Sequence, residues 1–201
     1  MELVHRVLEL LPDIVATGLL DASGGNLAVR ITNGVSITPT QAAEQLRWRL
    51  APEDFIMFPG GGEASMARAG RRPSRDSRVH RAVLAEFPNW NFSFHGHCWG
   101  LLGFAVAGKP LPVPACHTEL FQRRRDLEIP VVPPISASSP ELGEQTAAMM
   151  REHFDGSPHG AVLLGGHGVV VAGEGIESTL SLVQVLENLA RGQQWRLARE
   201  G

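Results

Sequence analysis

The sequence has no tyrosine and a single lysine, Lys109, and both scarcities restrict the chemistry of an active site. Lys109 lies in the turn-like Gly108-Lys109-Pro110, where we do not expect a desolvated amine able to form a Schiff base. The sequence therefore disfavours imine-based carbonyl chemistry. Because there is no phenol, proton transfer has to use histidine, aspartate, glutamate, cysteine or water.

Cysteine, excess charge and long apolar runs are also scarce. Cys98 and Cys116 are too few for a disulfide framework, which suits a reducing cytoplasm. The formal net charge is -3, and the basic triplet Arg123-Arg124-Arg125 is followed at once by acidic residues, so we expect no nucleic-acid partner. No apolar stretch approaches the ~20 residues of a membrane span, so we expect no membrane partner.

Length and composition indicate one globular domain over residues 1–201. The chain is 43% hydrophobic, and its 22 glycines and 14 prolines indicate many tight connections between elements. A chain of this length is long enough for one well-buried core and short for two. Helical and strand patterns without an internal repeat predict an α/β fold, with helices covering a mixed or largely antiparallel sheet.

Local patterns place the main elements. A first amphipathic helix ends near Gly18, and an Asn33-Gly34 turn joins the two strands of a hairpin. A short helix is expected around 42–48, a buried strand over 54–58, and a partner strand over 65–68. Further helices are expected after Arg75, over 101–107, from Ser139, and from Ile176 onwards.

Three histidines form the first candidate site. In an extended strand, residues i and i+2 point to the same face, so His95 and His97 should project side by side. That spacing suits a two-histidine metal chelate, although a surface or core pair has the same pattern. A third histidine, His167, is framed by glycines at the end of an apolar run, which favours a metal site.

Two further segments have both a structural and a functional interpretation. Gly24 and Gly25 before the hairpin are consistent with simple turn chemistry, and their backbone N–H groups are equally suited to holding an anion. Asp76 is expected in the first turn of a helix, where a carboxylate is favoured by the helix dipole. Helix stabilisation alone would explain that residue, and a ligand role is the alternative.

Five motifs taken together resemble the class II aldolase/adducin family, in particular its L-fuculose-1-phosphate aldolase-like members. They occur in the family's order along nearly the whole chain: Gly25-Asn26-Leu27-Ala28-Val29-Arg30, Ile37-Thr38-Pro39-Thr40, Pro73-Ser74-Arg75-Asp76 with His80, Phe94-His95-Gly96-His97, and Leu164-Gly165-Gly166-His167-Gly168-Val169-Val170.

The resemblance implies a fold, an activity and an assembly. The fold would be a three-layer α/β/α domain with a central, mostly antiparallel sheet. The activity would be that of a metal-dependent lyase, an aldolase that cleaves a small sugar phosphate or hydroxycarbonyl compound through a metal-stabilised enediolate. His95, His97 and His167 would hold a divalent metal, usually zinc, with Asp76 as a fourth ligand or as the acid/base. The assembly would be a homotetramer.

The resemblance also implies a substrate site, in which this sequence departs from the family. Phosphate-binding positions fall on Gly25, Asn26, Thr40 and Ser74, but Gln41 replaces a glycine and Arg75 replaces a serine. Arg75 would either bind phosphate more strongly or select a carboxylate.

The reaction type depends on a second acidic residue. Glu119 resembles the catalytic acid of the family's epimerase and dehydratase, and a surface glutamate is the simpler interpretation. Sugar-phosphate 4-epimerase or dehydratase activity, or a non-catalytic adducin-like module, are therefore the alternatives to aldol cleavage.

Overall fold

The computed structural model describes residues 1–60, 62–64, 70–114, 127–137 and 139–200. Within these ranges the helices are α1 Glu2–Ala16, α2 Ala42–Leu46, α3 Ser77–Glu86, α4 Trp99–Ala107, α5 Pro140–Phe154 and α6 Ile176–Glu200. The strands are β1 Asn26–Ile31, β2 Gly34–Ile37, β3 Ile56–Pro59, β4 Phe92–Gly96, β5 Leu111–Pro112, β6 Glu128–Ile129, β7 Val131–Val132, β8 His159–Leu164 and β9 Gly168–Gly173.

Seven of these strands form the central sheet, in the order β3-β2-β1-β4-β9-β8-β7. Every neighbouring pair is antiparallel except β7 and β8, which are parallel. Helix α3 packs on α5 and α4 packs on α6, so helices cover the sheet in the predicted three-layer α/β/α arrangement. None of the helices in the described ranges is both long and apolar enough to cross a bilayer.

The predicted elements are found with small shifts at their ends. Helix α2 stops at Leu46 because Arg47 and Trp48 adopt positive φ angles, and the strand expected over 54–58 begins only at Ile56. Asp54 lies in a short 3-10 turn before that strand, where its carboxylate accepts the backbone N–H of Ala51. The partner strand expected over 65–68 lies outside the described residues.

Strand β1 holds α3 against the sheet. The guanidinium of Arg30 donates to the carbonyl oxygens of Leu84 and Phe87 at the C-terminal end of α3, and to that of Trp90 beyond it. A cation at the C-terminal end of a helix also complements the helix dipole. Because Asn26 at the start of β1 binds Asp76 at the other end of α3, one strand fixes both ends of this helix.

Helix α6 fixes the start of α4. The buried carboxylate of Glu187 accepts the backbone N–H groups of Gly100 and Leu101 at 2.9 and 3.0 Å, and the side chain of Arg191 donates to it at 2.6 Å. These are N–H groups of the first turn of α4, which have no acceptor within their own helix. The last helix of the chain therefore anchors the helix that directly follows His97.

Replacing Glu187 by alanine should lower the free energy of unfolding by about 1 to 3 kcal/mol, because two buried N–H donors lose their acceptor. Chemical denaturation monitored by circular dichroism measures this. The matched control is Glu177→Ala in the same helix, where the lost partner is the exposed Arg6, and its transition should move little. Equal shifts for the two variants would contradict a capping role for Glu187.

Candidate metal centre and active site

Two of the three histidines come from the end of β4. His95 is the fourth residue of the strand and is buried, and His97 follows directly after its last residue. The centroids of the two rings are 5.1 Å apart, as expected for side chains on the same face of an extended segment. Both rings therefore lie at the C-terminal end of the central strand of the sheet, close to the N-terminus of α4.

The third histidine comes from the tight turn between β8 and β9. Gly166 in this turn has a φ of +72°, a conformation in which a side chain is disfavoured. The turn places the ring of His167 4.7 Å from that of His95 and 5.4 Å from that of His97. One ring nitrogen from each residue lies within 4.8 Å of the others. These three residues are called the histidine cluster below.

Glycines allow the strands to approach closely around the cluster. A Cβ atom at Gly168 would lie 2.5 Å from the backbone oxygen of Gly96 and 3.1 to 3.3 Å from the rings of His97 and His95. Gly25 has a φ of +106°, and a Cβ atom there would lie 2.8 Å from the backbone oxygen of His95. The glycines of two family motifs thus permit close approach to the backbone of β4, and Gly168 also leaves room for the rings of His95 and His97.

Hydrogen bonds orient two of the rings. His95 donates from Nδ1 to the carbonyl oxygen of Val169 at 3.0 Å, so the lone pair of its ring lies on Nε2. This Nε2 atom is buried and has no hydrogen-bond partner among the described residues. The Nδ1 atom of His97 lies 3.3 Å from Oγ of Ser23, whose hydroxyl donates to Asp21 at 2.5 Å. Ser23 must therefore accept from His97, and the Nε2 lone pair of His97 is also free.

The electrostatics of the cluster favour neutral rings. Burial lowers the pKa of His95 to about 3 and also lowers the pKa of His167. Neutral imidazole is the form that binds a metal, and each free Nε2 atom can act as a ligand. Three imidazole nitrogen donors, one of them buried without a hydrogen-bond partner, are a donor set that fits a divalent metal ion.

Asp76 is the carboxylate beside this cluster. It occupies the N-cap position of α3, one residue before the helix, and its side chain caps no N–H of that helix. Instead Oδ2 accepts from Asn26 at 3.0 Å and from Ser74 at 3.3 Å, and it lies 3.9 Å from Nε2 of His95. The interpretation that Asp76 only stabilises the helix is thus not supported, because its carboxylate is directed at the site.

The carboxylate of Asp76 is held in its ionised form. Burial would raise its pKa, but the neighbouring rings of His95 and His167 and the hydrogen bond from Asn26 outweigh burial and lower it. Its second oxygen, Oδ1, is buried and has no hydrogen-bond partner within the described ranges. A buried acceptor without a hydrogen-bond partner beside the histidine cluster is available to a metal ion or to a substrate proton.

The predicted substrate residues separate into three places. Asn26 and Ser74 adjoin Asp76 and hydrogen-bond to each other at 3.0 Å. Arg75 lies in a second place, with His167 in a cavity of about 430 Å³, and the remaining lining residues are Pro134, Ile135, Ser136, Ala137, Gly165 and Gly166. The third place is a polar pocket of about 250 Å³ that contains Thr40 and Gln41, lined further by Gln45, Gly70, Arg71 and Arg72.

Gln41 keeps the backbone conformation for which a glycine would be the usual choice. Its φ of 58° and ψ of 25° are left-handed, and its side chain is tied to Glu44 and Gln45 by hydrogen bonds of 3.0 and 2.7 Å. Gln41 therefore adopts a backbone conformation that most residues with a side chain avoid. It fills part of the Thr40 pocket with an amide side chain.

Glu119, the other predicted catalytic residue, lies outside the described residues.

Two supporting groups were not predicted. The sequence patterns assign no role to Ser23, which directly precedes Gly24, or to His80, four residues after Asp76. A hydroxyl directly before a glycine turn and a histidine one helical turn after a carboxylate are weak signals, and only tertiary contacts indicate what these side chains do.

Known proteins are similar to this chain in sequence and in fold. Residues 5–194 match the family model described as "Class II Aldolase and Adducin N-terminal domain". L-fuculose phosphate aldolase of Haemophilus influenzae is 28% identical over 189 residues, which are 94% of this chain and 81% of that protein. A 5-methylthioribulose-1-phosphate/5-deoxyribulose-1-phosphate aldolase of Rhodospirillum rubrum is 29% identical over 194 residues, 96% and 80% of the two chains.

A solved structure of L-fuculose 1-phosphate aldolase has the same fold. It superimposes with a TM-score of 0.78 at 20% identity, over 99% of this chain and 87% of the other. The fold and the relatives define the class of protein, which is a metal-dependent lyase of the aldolase type. The chain belongs to the class II aldolase and adducin family, which confirms the resemblance read from its motifs. The non-catalytic alternative is set aside.

Removing the hydroxyl of Ser23 should weaken metal binding about 10- to 100-fold, because His97 loses the acceptor that fixes its ring. Competition between the metal-free protein and a chelating dye for Zn²⁺ measures the affinity of Ser23→Ala. Ser181→Ala, on the exposed surface of α6, is the matched serine control and should bind Zn²⁺ like the unmodified protein. An unchanged affinity in Ser23→Ala would show that His97 needs no such support.

Proposed function

We propose that the protein is a zinc-dependent aldolase that cleaves a small phosphorylated hydroxycarbonyl compound. The observation that carries this proposal is the histidine cluster, in which two rings present free Nε2 atoms beside a single ionised carboxylate, Asp76. Two relatives are named for phosphorylated sugars, which supports a sugar phosphate as the substrate class. We also propose that residues 1–201 form one domain, because a single core runs from Val4 to Ala190.

The metal would be held by His95, His97 and His167. When bound, it would supply Lewis acidity that draws electron density from the carbonyl group of the substrate. We propose zinc because three imidazoles would occupy three of its four tetrahedral positions and leave one open for the substrate. About one zinc per chain in the purified protein, measured by elemental analysis, would support this assignment, and a metal-free protein that retains full activity would overturn it.

Asp76 is placed to move the proton of the cleavage. In a retro-aldol reaction a base removes the hydroxyl proton, the neighbouring C–C bond breaks, and its electron pair remains on the carbon beside the carbonyl. Asp76 is ionised and has one oxygen without a partner, so it can accept that hydroxyl proton. Its alternative role is that of a fourth metal ligand, and the 3.9 Å separation from His95 fits either role.

A second proton must reach the carbon that keeps the electron pair. Glu119 is our candidate for this step on the basis of the sequence resemblance, because the chain has no tyrosine to supply it. A second acid would also serve epimerisation or dehydration, which remain the alternative reactions. A screen of phosphorylated and free ketoses for aldehyde release distinguishes these reactions directly.

Arg75 is our candidate for the anionic group of the substrate. Its positive charge contributes to the lowered pKa of His167, after the larger effect of burial, and both residues line the 430 Å³ cavity. A guanidinium can bind the oxygens of a phosphate or a carboxylate in pairs. This arrangement favours the cavity of Arg75 and His167 over the Thr40–Gln41 pocket as the anion site. Gly25, Asn26 and Ser74 would then line the path of the substrate to Asp76.

The assembly is proposed to be a homotetramer of cytoplasmic location. Trp99 and Val106 lie seven residues apart on one face of α4 and are 74% and 66% exposed, and Trp195 on α6 is 73% exposed. Exposed apolar residues of this size favour contact with another copy of the chain. The free, buried thiol of Cys98 is compatible with a reducing compartment. Light scattering measures the assembly, and a monomer would contradict this part of the proposal.

Asp76→Asn should retain the fold and most of the bound metal but lose turnover by a factor of about 10² or more, since an amide accepts no proton. Glu119→Gln should also lose activity with its metal content unchanged if it supplies the second proton. Steady-state kinetics and metal analysis on the same preparations separate catalysis from metal loss. Near-normal turnover in either variant would remove that residue from the mechanism.

Replacing Arg75 by methionine should raise KM about 10- to 100-fold for an anionic substrate and change kcat little, because a charge-assisted contact made throughout the reaction is lost. Arg72→Met is the matched control, because Arg72 lines the Thr40 pocket and not the cavity of His167. If Arg72→Met raises KM and Arg75→Met does not, the anion binds in the Thr40 pocket instead.

A further inference from the structure

A chain of polar side chains lies behind Asp76 and is buried along its whole length. It runs from Ser93 on β4 through His80 on α3 to Asn26 on β1, and from there to Asp76. Ser93 and His80 are completely buried, and Asn26 is nearly so. These hydrogen bonds lead to the carboxylate of Asp76 and not to the rings of the histidine cluster.

The direction of each hydrogen bond follows from the carboxylate at one end. Oδ2 of Asp76 can only accept, so the amide NH₂ of Asn26 must face it, at 3.0 Å. The second amide hydrogen goes to Oγ of Ser74, also at 3.0 Å. With both amide hydrogens used, Oδ1 of Asn26 faces His80, whose Nε2 must then carry the proton and donate. Nδ1 of His80 consequently accepts from Ser93 at 2.7 Å.

The opposite arrangement is unfavourable. If Nδ1 of His80 carried the proton, Nε2 would accept from Asn26 and the amide would be turned over. Oδ1 of Asn26 would then face the carboxylate of Asp76, with two acceptors in contact in a buried place. Burial also lowers the pKa of His80 to about 4, so its ring is neutral and carries one proton.

We propose that His80 is a positioning residue. Its Nε2–H group fixes the orientation of the Asn26 amide, and the NH₂ group of that amide then holds Oδ2 of Asp76. The other carboxylate oxygen of Asp76, its Oδ1 atom, is left free for the reaction. The inference rests on the proposed function, in which Asp76 moves the proton. It assigns His80 to no metal ion and no substrate atom. Its effect on catalysis is exerted only through Asn26.

Two substitutions separate positioning from packing. In His80→Gln the terminal amide nitrogen can replace Nε2 as the donor to Asn26, whereas His80→Leu fills the space without a donor. His80→Leu should lower kcat about 10- to 100-fold with KM and metal content little changed, and His80→Gln should recover most of that loss. Equal losses in the two variants, or a loss that follows the metal content, would overturn the inference.

A double-mutant cycle with Asn26→Ala tests whether the effect passes through Asn26. In the Asn26→Ala background, His80→Leu should change kcat less than about twofold, because the group it orients is absent. If the two substitutions instead act additively, His80 works by another route and the proposal fails.

The protonation of His80 gives a readout that does not require turnover. Nitrogen-15 NMR of the metal-free protein should show His80 as the neutral tautomer with the proton on Nε2. Protonation on Nδ1, or a cationic ring at pH 7, would overturn the inference even in an active enzyme. The expected tautomer in a protein that proves to cleave no ketose would instead locate the failure in the proposed function.

Discussion

Strand β4 lies between β1 and β9, and the register of these two pairings determines what surrounds His95. Asn26 is its partner on one side and Val170 on the other. Because side chains alternate along a strand, a shift of one residue in either pairing would turn His95 towards the opposite face of the sheet. The same register sets the carbonyl of Val169 beside Nδ1 of His95 and brings the β8–β9 turn, with His167, against the end of β4.

The site combines neutral ligands with one charged group, and burial explains this division. Burial of an imidazolium costs more than the attraction of the Asp76 carboxylate returns, which lowers the pKa of His95 and of His167 and keeps both rings neutral. The single carboxylate of Asp76 has a lowered pKa despite its burial, and with the rings neutral the hydrogen bond from the Asn26 amide is the contact that stabilises its charge. A cluster of neutral nitrogen ligands leaves a bound cation with its full positive charge, which is the property that carbonyl activation requires.

The other end of the chain supports the site through α4. This helix begins two residues after His97, and Glu187 on α6 holds its first turn, so the C-terminal helix limits how far the end of β4 can move. The apolar face of α4, with Trp99 at its start, is left exposed. In the proposed tetramer, contacts between subunits would therefore be made by the helix that adjoins the histidine cluster.

The sequence alone predicted the main helices and strands, and it predicted which three histidines lie together in the cluster. The Asn33-Gly34 hairpin, the helix from Ser139 and the spacing of His95 and His97 are local patterns, and local patterns depend on backbone geometry that a short segment specifies. The five motifs added the fold class and the family. The N-cap position of Asp76 was missed by one residue, which is the usual uncertainty of a helix end.

Only the tertiary structure decided which side chains lie in the same pocket or contact one another. It separated Arg75 from the Thr40–Gln41 pocket, and it joined Asn26 to His80 across 54 positions of sequence and Ser23 to His97 across 74. Such contacts depend on how strands and helices pack, and no spacing within one segment encodes them. The family resemblance predicts a phosphate-binding role for Asn26, and packing adds what no motif encodes, the hydrogen bonds of its amide to Ser74 and Asp76.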